Sequence, residues 1–194
     1  MGFGAADDPG DLVDDLAEGL HRAVSDLTHL DAIVVSVVHG AAAGAGVPLA
    51  AAADLVLAGE SASFTLAYTR IGLTPDGGSS LLTASLGLHR SLALALLNPT
   101  LTAREAQSIG LVTQVHADAD LTAATKDVVT TLLAGSRTAQ VGAKRLLRAQ
   151  ALPHPEGAMR QETLSIRAAA NSPDGREGVA AFLAKRAPTF PSCA

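Results

Sequence analysis

A stretch of small residues at positions 39–53 constrains this chain more than any other feature of its sequence. It follows residues 33–38, an apolar run rich in β-branched side chains and short enough for a buried strand. It ends in alanines, which have high helix propensity. Between these parts stand Gly40, Gly44 and Gly46, which let the backbone turn tightly. The pattern predicts a strand, a glycine turn and a helix whose first amides are free to bind an anion.

The spacing of the glycines and the charges near them indicate which kind of anion this turn can bind. The turn reads Gly-x-x-x-Gly-x-Gly rather than the Gly-x-Gly-x-x-Gly of dinucleotide-binding folds, and it lacks the Gly-Lys-Ser or Gly-Lys-Thr ending of a P-loop. Residues 32–69 contain no lysine or arginine to neutralise a phosphate. The stretch therefore favours a carbonyl oxygen that becomes negative during a reaction. Close packing of a helix on a strand needs the same small residues, and the residues alone leave this alternative open.

Composition and charge exclude several classes of function. The chain has 194 residues, enough for one domain with a sizeable core, and 48% of them are hydrophobic. The net charge is −5 and the basic residues are scattered until the C-terminal third, which argues against a nucleic-acid partner. Cys193 is the only cysteine, so no internal disulfide can form. No apolar run reaches membrane length and the opening residues do not resemble a secretion signal, so we expect a soluble cytoplasmic protein with no membrane partner.

The remaining periodicities predict a small α/β layer followed by helices. An apolar stripe predicts an amphipathic helix over residues 11–27, and a loop is expected at residues 72–78, where a proline and two glycines surround Asp76. The predicted strands cover residues 33–38, 54–59, 63–66 and 111–115, and the later helices cover residues 79–86, 89–97, 121–134, 138–151, 156–170 and 174–185, with a capping box at residues 102–105 that opens a further short helix. We therefore expect an α/β fold in which residues 1–118 form the α/β core and residues 119–194 a helical region.

Six segments, in this order and at near-constant spacing, resemble the crotonase (enoyl-CoA hydratase/isomerase) superfamily. They are residues 38–46, 53–58, 71–78, 101–106, 110–112 and 176–186. The resemblance implies a ββα spiral core, a helical C-terminal trimerisation region, assembly into a homo-trimer or hexamer, and a coenzyme A thioester as the substrate with no permanently bound cofactor. The family's opening strands come before the matched region, so the resemblance also implies a core shortened at its N terminus, by a late-assigned start or by a real truncation.

The resemblance gives the glycine turn a role in catalysis. In crotonases a backbone amide at this place helps to hold the oxygen of a thioester enolate. The matching donor here is the amide of Ala45, flanked by Gly44 and Gly46, which we include in the substrate-binding set. Because only the backbone N–H takes part, alanine suits the position.

Two positions depart from the hydratase branch of the family. That branch uses two glutamates, and the matching residues here are Pro48 and Tyr68. Neither exchanges a proton near neutral pH, since proline has no titrating side chain and the reference pKa of tyrosine is about 10. Water addition by the usual route is therefore not expected. We place Pro48, Tyr68 and Leu73 in the substrate-binding set, where Tyr68 can line the acyl pocket or donate a hydrogen bond while protonated.

Asp76 resembles the aspartate of crotonase isomerases that act on ring-epoxide and unsaturated acyl-CoAs in phenylacetate breakdown. A lone carboxylate suits an isomerase, which needs one base to move a proton within its substrate. The resemblance therefore implies that Asp76 is catalytic. The alternative is a turn residue, because aspartate is common in Pro-Asp-Gly turns.

Phe182 and Lys185 are three residues apart on one face of the predicted last helix. Similar proteins present these two residues to the adenine and phosphate of coenzyme A bound by a neighbouring subunit. The alternative is a core phenylalanine and a solvated lysine. No metal site is expected, because the histidines in predicted loops, His89, His116 and His154, lack ligand spacing.

The sequence therefore favours an acyl-CoA isomerase in which Asp76 moves the proton. One alternative is an enoyl-CoA hydratase, which the two replaced glutamates oppose. Another is a catalytically impaired protein that binds coenzyme A or another subunit, which the shortened N terminus suggests.

Overall fold

Residues 9–193 are described by the structure, which is a computed structural model, and side chains are described from residue 16 onward. Expectations about residues 1–8 and Ala194 lie outside the described part. Helix α1, Pro9–His29, is two residues longer at each end than its apolar stripe predicts. The helix therefore exists where the 3.6-residue period places it.

The strands form two small three-stranded sheets. In chain order they are β1 (Val35–Val38), β2 (Ala41–Ala43), β3 (Leu55–Gly59), β4 (Ser63–Thr65), β5 (Leu101–Thr102) and β6 (Gln114–His116). The first sheet has the order β1-β3-β6 and is parallel, with Val35 opposite Leu55. The second has the order β2-β4-β5, in which β2 is parallel and β5 antiparallel to β4.

Most of the helices lie at the predicted positions. They are α2 (Gly46–Ala51), α3 (Leu82–Leu86), α4 (Leu88–Leu97), α5 (Ala103–Ser108), α6 (Leu121–Ala134), α7 (Arg137–Ala151), α8 (Pro155–Asn171) and α9 (Pro173–Leu183). The capping box is confirmed, since Thr102 and Glu105 exchange side-chain and backbone hydrogen bonds at the start of α5. Residues 79–81 form a 3₁₀ turn rather than the first turn of an α-helix.

The chain passes from the first sheet to the second twice, through β1 and β2 and then through β3 and β4, with α2 between the two pairs. This ββα repeat confirms the predicted spiral α/β core. Strand β2 was not predicted, because three alanines carry no strand signal. It forms because Ala42 is buried in the core while the backbone of Ala41–Ala43 pairs with β4.

The main core lies between the two sheets and the helices that follow them, around Phe64, Val47 and Leu82. A second contact joins the two ends of the chain, because α1 packs along α8. The boundary at residue 118 between the α/β core and the helical region stays a prediction. The packing of α1 on α8 brings these two parts of the chain into contact. Among residues 9–193, no helix combines the length and apolar composition that a bilayer crossing requires.

Candidate active site

The loop that carries Asp76 lies between α1 and α8, and its glycines shape it. Gly77 and Gly78 adopt φ values of 73° and 89°, a region that favours glycine. A Cβ atom at Gly77 would overlap Leu20 of α1, and one at Gly78 would press on Val24. The two glycines therefore let the loop approach α1 closely, which brings Asp76 against the inner face of that helix.

The carboxylate of Asp76 is buried, with 4% of the residue exposed. Its Oδ1 lies 2.9 Å from Nε2 of His21 on α1 and has no hydrogen-bond partner besides this ion pair among residues 9–193. The backbone carbonyl of Asp76 accepts hydrogen bonds from Ser79 Oγ at 2.6 Å and from the Tyr68 hydroxyl at 3.2 Å. Both the backbone and one carboxylate oxygen are held, so Asp76 is more than a solvated turn residue.

A second carboxylate, Glu162 of α8, joins His21 and Asp76 in a buried cluster whose ligand-type atoms lie within 4.8 Å of one another. Its Oε2 accepts a hydrogen bond from the Gly78 amide at 2.7 Å and lies 3.5 Å from His21 Nε2. Its Oε1 accepts hydrogen bonds from the Ser80 amide at 2.7 Å and from the Ser80 hydroxyl. The expectation of a lone carboxylate is therefore wrong, but the oxygens of this second one are engaged in holding the loop.

His21 carries the positive charge of this cluster. Burial alone would lower the pKa of its imidazole, but the hydrogen bonds and charges of Asp76 and Glu162 outweigh burial and raise the pKa from 6.5 to about 9. Its second nitrogen, Nδ1, lies 3.2 Å from Thr163 Oγ1 on α8. At neutral pH His21 is therefore a cation that faces two carboxyl groups.

Sequence reasoning missed His21 and Glu162, although one signal points to both. His21 follows Leu20 and precedes Val24 on the apolar stripe of α1, and Glu162 lies one turn after Met159 on the inner face of α8. A titratable residue on an apolar stripe needs a buried partner. Each of these two residues is such a partner for the other.

Tyr68 directs its hydroxyl at the same loop from the turn that follows β4. Burial raises the pKa of its phenol above the ordinary value, and the negative charges of Asp76 and Glu162 raise it further. Tyr68 therefore stays protonated and donates its hydrogen bond to the carbonyl of Asp76. It cannot replace a glutamate as a base.

The glycine turn places Ala45 at the N-cap of α2. Gly44 adopts a φ of 54° and its amide donates to the carbonyl of Thr65 at 2.9 Å, while Gly46 begins the helix. Within the described part of the chain, the amide of Ala45 donates no hydrogen bond, and the residue is half-buried. Its role as an oxyanion donor stays a prediction.

Pro48 and Leu73 lie in different surroundings. Pro48 is buried in the first turn of α2 and lines a cavity of about 470 Å³ together with Gly78. Leu73 is buried against Ile166 and Ala170, in a cluster of core side chains. Leu73 thus anchors the start of the loop to α8, and contact of either residue with a substrate stays a prediction.

The C-terminal pair departs from its predicted geometry. Helix α9 ends at Leu183, and Lys185 adopts a φ of 52° beyond it. The prediction that Phe182 and Lys185 share one helix face is therefore wrong. Phe182 is 65% exposed, which also contradicts the alternative of a core phenylalanine.

A cavity of about 500 Å³ opens beside the Asp76 loop. Thr74 and Pro75 line it from the loop, and Leu88 and Leu92 line it from α4. A mostly apolar cavity with a few polar groups suits a ligand with an aliphatic or aromatic part. We expected the amide of Ala45 to face a cavity, but Ala45 lines neither this cavity nor the two others described around α1, α2 and α8.

Comparison with known proteins agrees with the fold and with the order of the sequence motifs. A family model for enoyl-CoA hydratase/isomerase matches residues 10–192. The chain is 38% identical over 193 residues to the 1,2-epoxyphenylacetyl-CoA isomerase of Escherichia coli strain K12, covering 94% of this chain and 72% of that protein. It is 40% identical over 161 residues to a probable enoyl-CoA hydratase of Rhodobacter capsulatus, covering 81% of this chain and 62% of that protein.

A solved structure gives the same result in three dimensions. An enoyl-CoA hydratase from Mycobacterium avium subsp. paratuberculosis K-10 superposes with a TM-score of 0.88 at 39% sequence identity, covering 92% of this chain and 73% of that one. This chain therefore spans between 62% and 73% of the length of these three proteins. The matched family model, the identities and the shared ββα core show that the chain belongs to the enoyl-CoA hydratase/isomerase family.

Proposed function

We propose that the protein is an acyl-CoA isomerase that shifts a double bond or rearranges a ring through an enolate. In this proposal the Ala45 amide holds the thioester oxygen, Asp76 moves the proton, and coenzyme A enters only as part of the substrate. The observation that carries the proposal is the environment of Asp76, whose backbone is fixed by two hydrogen bonds and whose Oδ1 faces a cation.

The chemistry follows from which groups can exchange a proton. Asp76 would take a proton from carbon as the thioester becomes an enolate, and would return it to another carbon of the same substrate. Atoms and charge balance within the substrate, so neither water nor a second acid is consumed. A general base of this kind contributes ~100- to 10,000-fold to a rate, and one oxyanion donor contributes on the order of 3 kcal/mol.

Hydration is the weaker candidate because the residues that activate water are replaced. Pro48 has no proton to exchange, Tyr68 is held as a donor, and both oxygens of Glu162 accept hydrogen bonds from the loop. The similarity to an isomerase acting on 1,2-epoxyphenylacetyl-CoA supports the same choice. In this proposal the acyl group would occupy the cavity of about 500 Å³ that Thr74 and Pro75 line, next to Asp76 in the chain.

We also propose a homo-trimer or hexamer built through the helical C-terminal region. Leu133, Leu146 and Leu147 are more than two-thirds exposed on α6 and α7. Burial of such side chains in an interface would remove apolar area from water at about 25 cal/mol per Å². In such an assembly the exposed Phe182 and Lys185 would reach the coenzyme A of a neighbouring subunit.

The experiment is turnover of a panel of 2-enoyl-, 3-enoyl- and epoxy-CoA thioesters by the wild type and by Asp76→Asn. We expect isomerisation of at least one ester by the wild type, a loss of ~100- to 10,000-fold in kcat for Asp76→Asn, and little change in ester binding. Asp120→Asn makes the same chemical change at an exposed position and should keep full activity. Robust hydration of crotonyl-CoA, or full activity of Asp76→Asn, would show the proposal to be wrong.

A further inference from the structure

The hydrogen bonds of His21 determine where its protons lie. The Thr163 hydroxyl has one hydrogen, and both the carbonyl of Met159, 3.3 Å away, and His21 Nδ1, 3.2 Å away, lie within its reach. When both ring nitrogens carry a proton, as a pKa of about 9 implies at neutral pH, the hydroxyl donates to Met159 and its oxygen accepts from Nδ1.

Two neighbours compete for the other nitrogen, Nε2. The amide of Gly77, 3.2 Å away, would donate to a bare Nε2, whereas Asp76 Oδ1, 2.9 Å away, requires an N–H. The contact with the carboxylate is shorter and charge-assisted, and without it the buried Oδ1 would have no partner among the described residues. Nε2 is therefore protonated at neutral pH, which agrees with a pKa of about 9 for His21.

From this geometry we infer that His21 is a positioning residue for Asp76, holding Oδ1 so that the second oxygen, Oδ2, is left to take the proton. None of the hydrogen bonds made by the described side chains of residues 16–193 reaches Oδ2. The inference rests on the proposed function, because it assigns His21 to the base that the proposal uses. His21 acts through Asp76 and does not touch the substrate.

The surroundings favour a proton over a metal ion in this cluster. The amide hydrogens of Gly78 and Ser80 point at the Glu162 oxygens that a cation would need, and these donors would repel it. The charged groups that face His21 are Asp76 on the loop and Glu162 on α8. Four further charged residues line a cavity of about 360 Å³ together with His21: Glu18 and Arg22 on α1, and Glu156 and Arg160 on α8.

Two substitutions of His21 distinguish the effect of its hydrogen bond to Asp76 from the effect of its side-chain volume. His21→Leu removes the donor, whereas His21→Gln keeps an N–H donor that does not titrate. Because a small misplacement of a catalytic group can cost ~100-fold, we expect His21→Leu to lower kcat by about that factor with KM nearly unchanged. We expect the kcat of His21→Gln to be at least about tenfold higher than that of His21→Leu.

The dependence of kcat on pH distinguishes a positioning role of His21 from a purely structural one. In the wild type kcat should fall as pH rises through about 9, because neutral His21 no longer donates to Asp76 and its Nε2 can accept from Gly77 instead. This alkaline limb should be absent in His21→Gln. His29→Gln, a matched change at an exposed position of α1, should keep both kcat and the limb.

A measurement without substrate tests the ion pair itself. Nuclear magnetic resonance of the His21 ring should show titration near pH 9 in the wild type and at a clearly lower pH in Asp76→Asn. Wild-type kcat in His21→Leu with an inactive Asp76→Asn, or an alkaline limb that persists in His21→Gln, would overturn the inference alone. Full activity of Asp76→Asn would overturn the proposed function and this inference together.

Discussion

Lys144 of α7 reaches Asp54, the residue before β3, with an Nζ–Oδ2 distance of 2.9 Å, and only 3% of the lysine side chain is exposed. Its ammonium also donates to the carbonyls of Leu27 and Ala32. The neighbouring Arg145 pairs with Asp31 instead, and both of those side chains are at least 60% exposed. Two adjacent residues of one helix thus make a buried and an exposed ion pair.

We expect the loss of these two ion pairs to lower the free energy of unfolding by very different amounts. Lys144→Met leaves the carboxylate of Asp54 without the more deeply buried of its two cations, and breaking a buried pair typically costs about 3–5 kcal/mol of unfolding free energy. Arg148 still contacts Asp54, which places the expected loss near the lower bound. Arg145→Met should cost less than about 1 kcal/mol. Urea unfolding of both variants checks the prediction, and equal losses would contradict it.

Stability should fall from neutral to alkaline pH because of His21. Its pKa is about 9 in the folded protein and 6.5 in the unfolded chain, so the folded state binds more protons between these values. The stabilisation is complete below about pH 6.5 and is lost as pH rises through 9, with a total of about 3 kcal/mol. Urea unfolding between about pH 6 and 9.5 measures this slope.

Two variants test the origin of that slope. His21→Gln should flatten it, whereas His29→Gln should leave it in place. Tyr68 does not interfere in this window, because its raised pKa alters stability only where an unfolded tyrosine ionises, above about pH 10. A slope of unchanged size in His21→Gln would refute the assignment.

Glu162→Gln should loosen the loop that carries Asp76. Three donors, the amides of Gly78 and Ser80 and the Ser80 hydroxyl, reach the two carboxylate oxygens. An NH₂ group in place of one oxygen leaves at least one buried donor unpaired, at a cost of about 2 kcal/mol. We expect lower unfolding free energy and lower kcat together.

The control for that change lies on the same helix. Glu156 is 60% exposed, so Glu156→Gln should change unfolding free energy by less than about 0.5 kcal/mol. Comparable thermal unfolding of the two variants would show that Glu162 does not hold the loop.

Two helical glycines should respond in opposite directions to alanine. A Cβ atom at Gly178 of α9 would overlap the carbonyl group of Ile71, so Gly178→Ala should cost about 2–3 kcal/mol. A Cβ atom at Gly157 of α8 meets nothing within 4 Å, so Gly157→Ala should stabilise the protein by about 0.5 kcal/mol through helix propensity. Thermal unfolding compares them directly, and a stabilised Gly178→Ala would contradict the packing described here.

Much of the fold could be predicted because it follows from local signals. The period of α1 and the capping box at Thr102 are encoded in a few neighbouring residues. Strand β2 could not be predicted, because Ala41–Ala43 become a strand only through pairing with β4. The end of α9 was misplaced for a similar reason, since the turn at Lys185 interrupts a continuous helical pattern.

The residues of the candidate site also differ in whether local sequence signals could predict them. Ala45 and Asp76 stand beside glycines and prolines, whose backbone effects can be recognised from sequence. His21 and Glu162 lie on otherwise apolar helix faces, and their roles depend on the packing of α1 on α8. The approach of the loop to α1, together with this packing, places a cation beside Asp76, so periodicity alone could not assign it.

The packing of α1 on α8 has a consequence for how the protein is made. His21 and Thr163 are 142 positions apart, and Gly78 and Glu162 are 84 positions apart. Contacts between such distant residues form slowly, and on a ribosome they cannot form before α8 has been synthesised. A nascent chain that already contains both sheets would still lack Glu162, which holds the loop at Gly78 and Ser80, and Thr163, which contacts His21. The surroundings of Asp76 would therefore be completed only near the end of synthesis, so that incomplete products carry the fold's core without the finished candidate site.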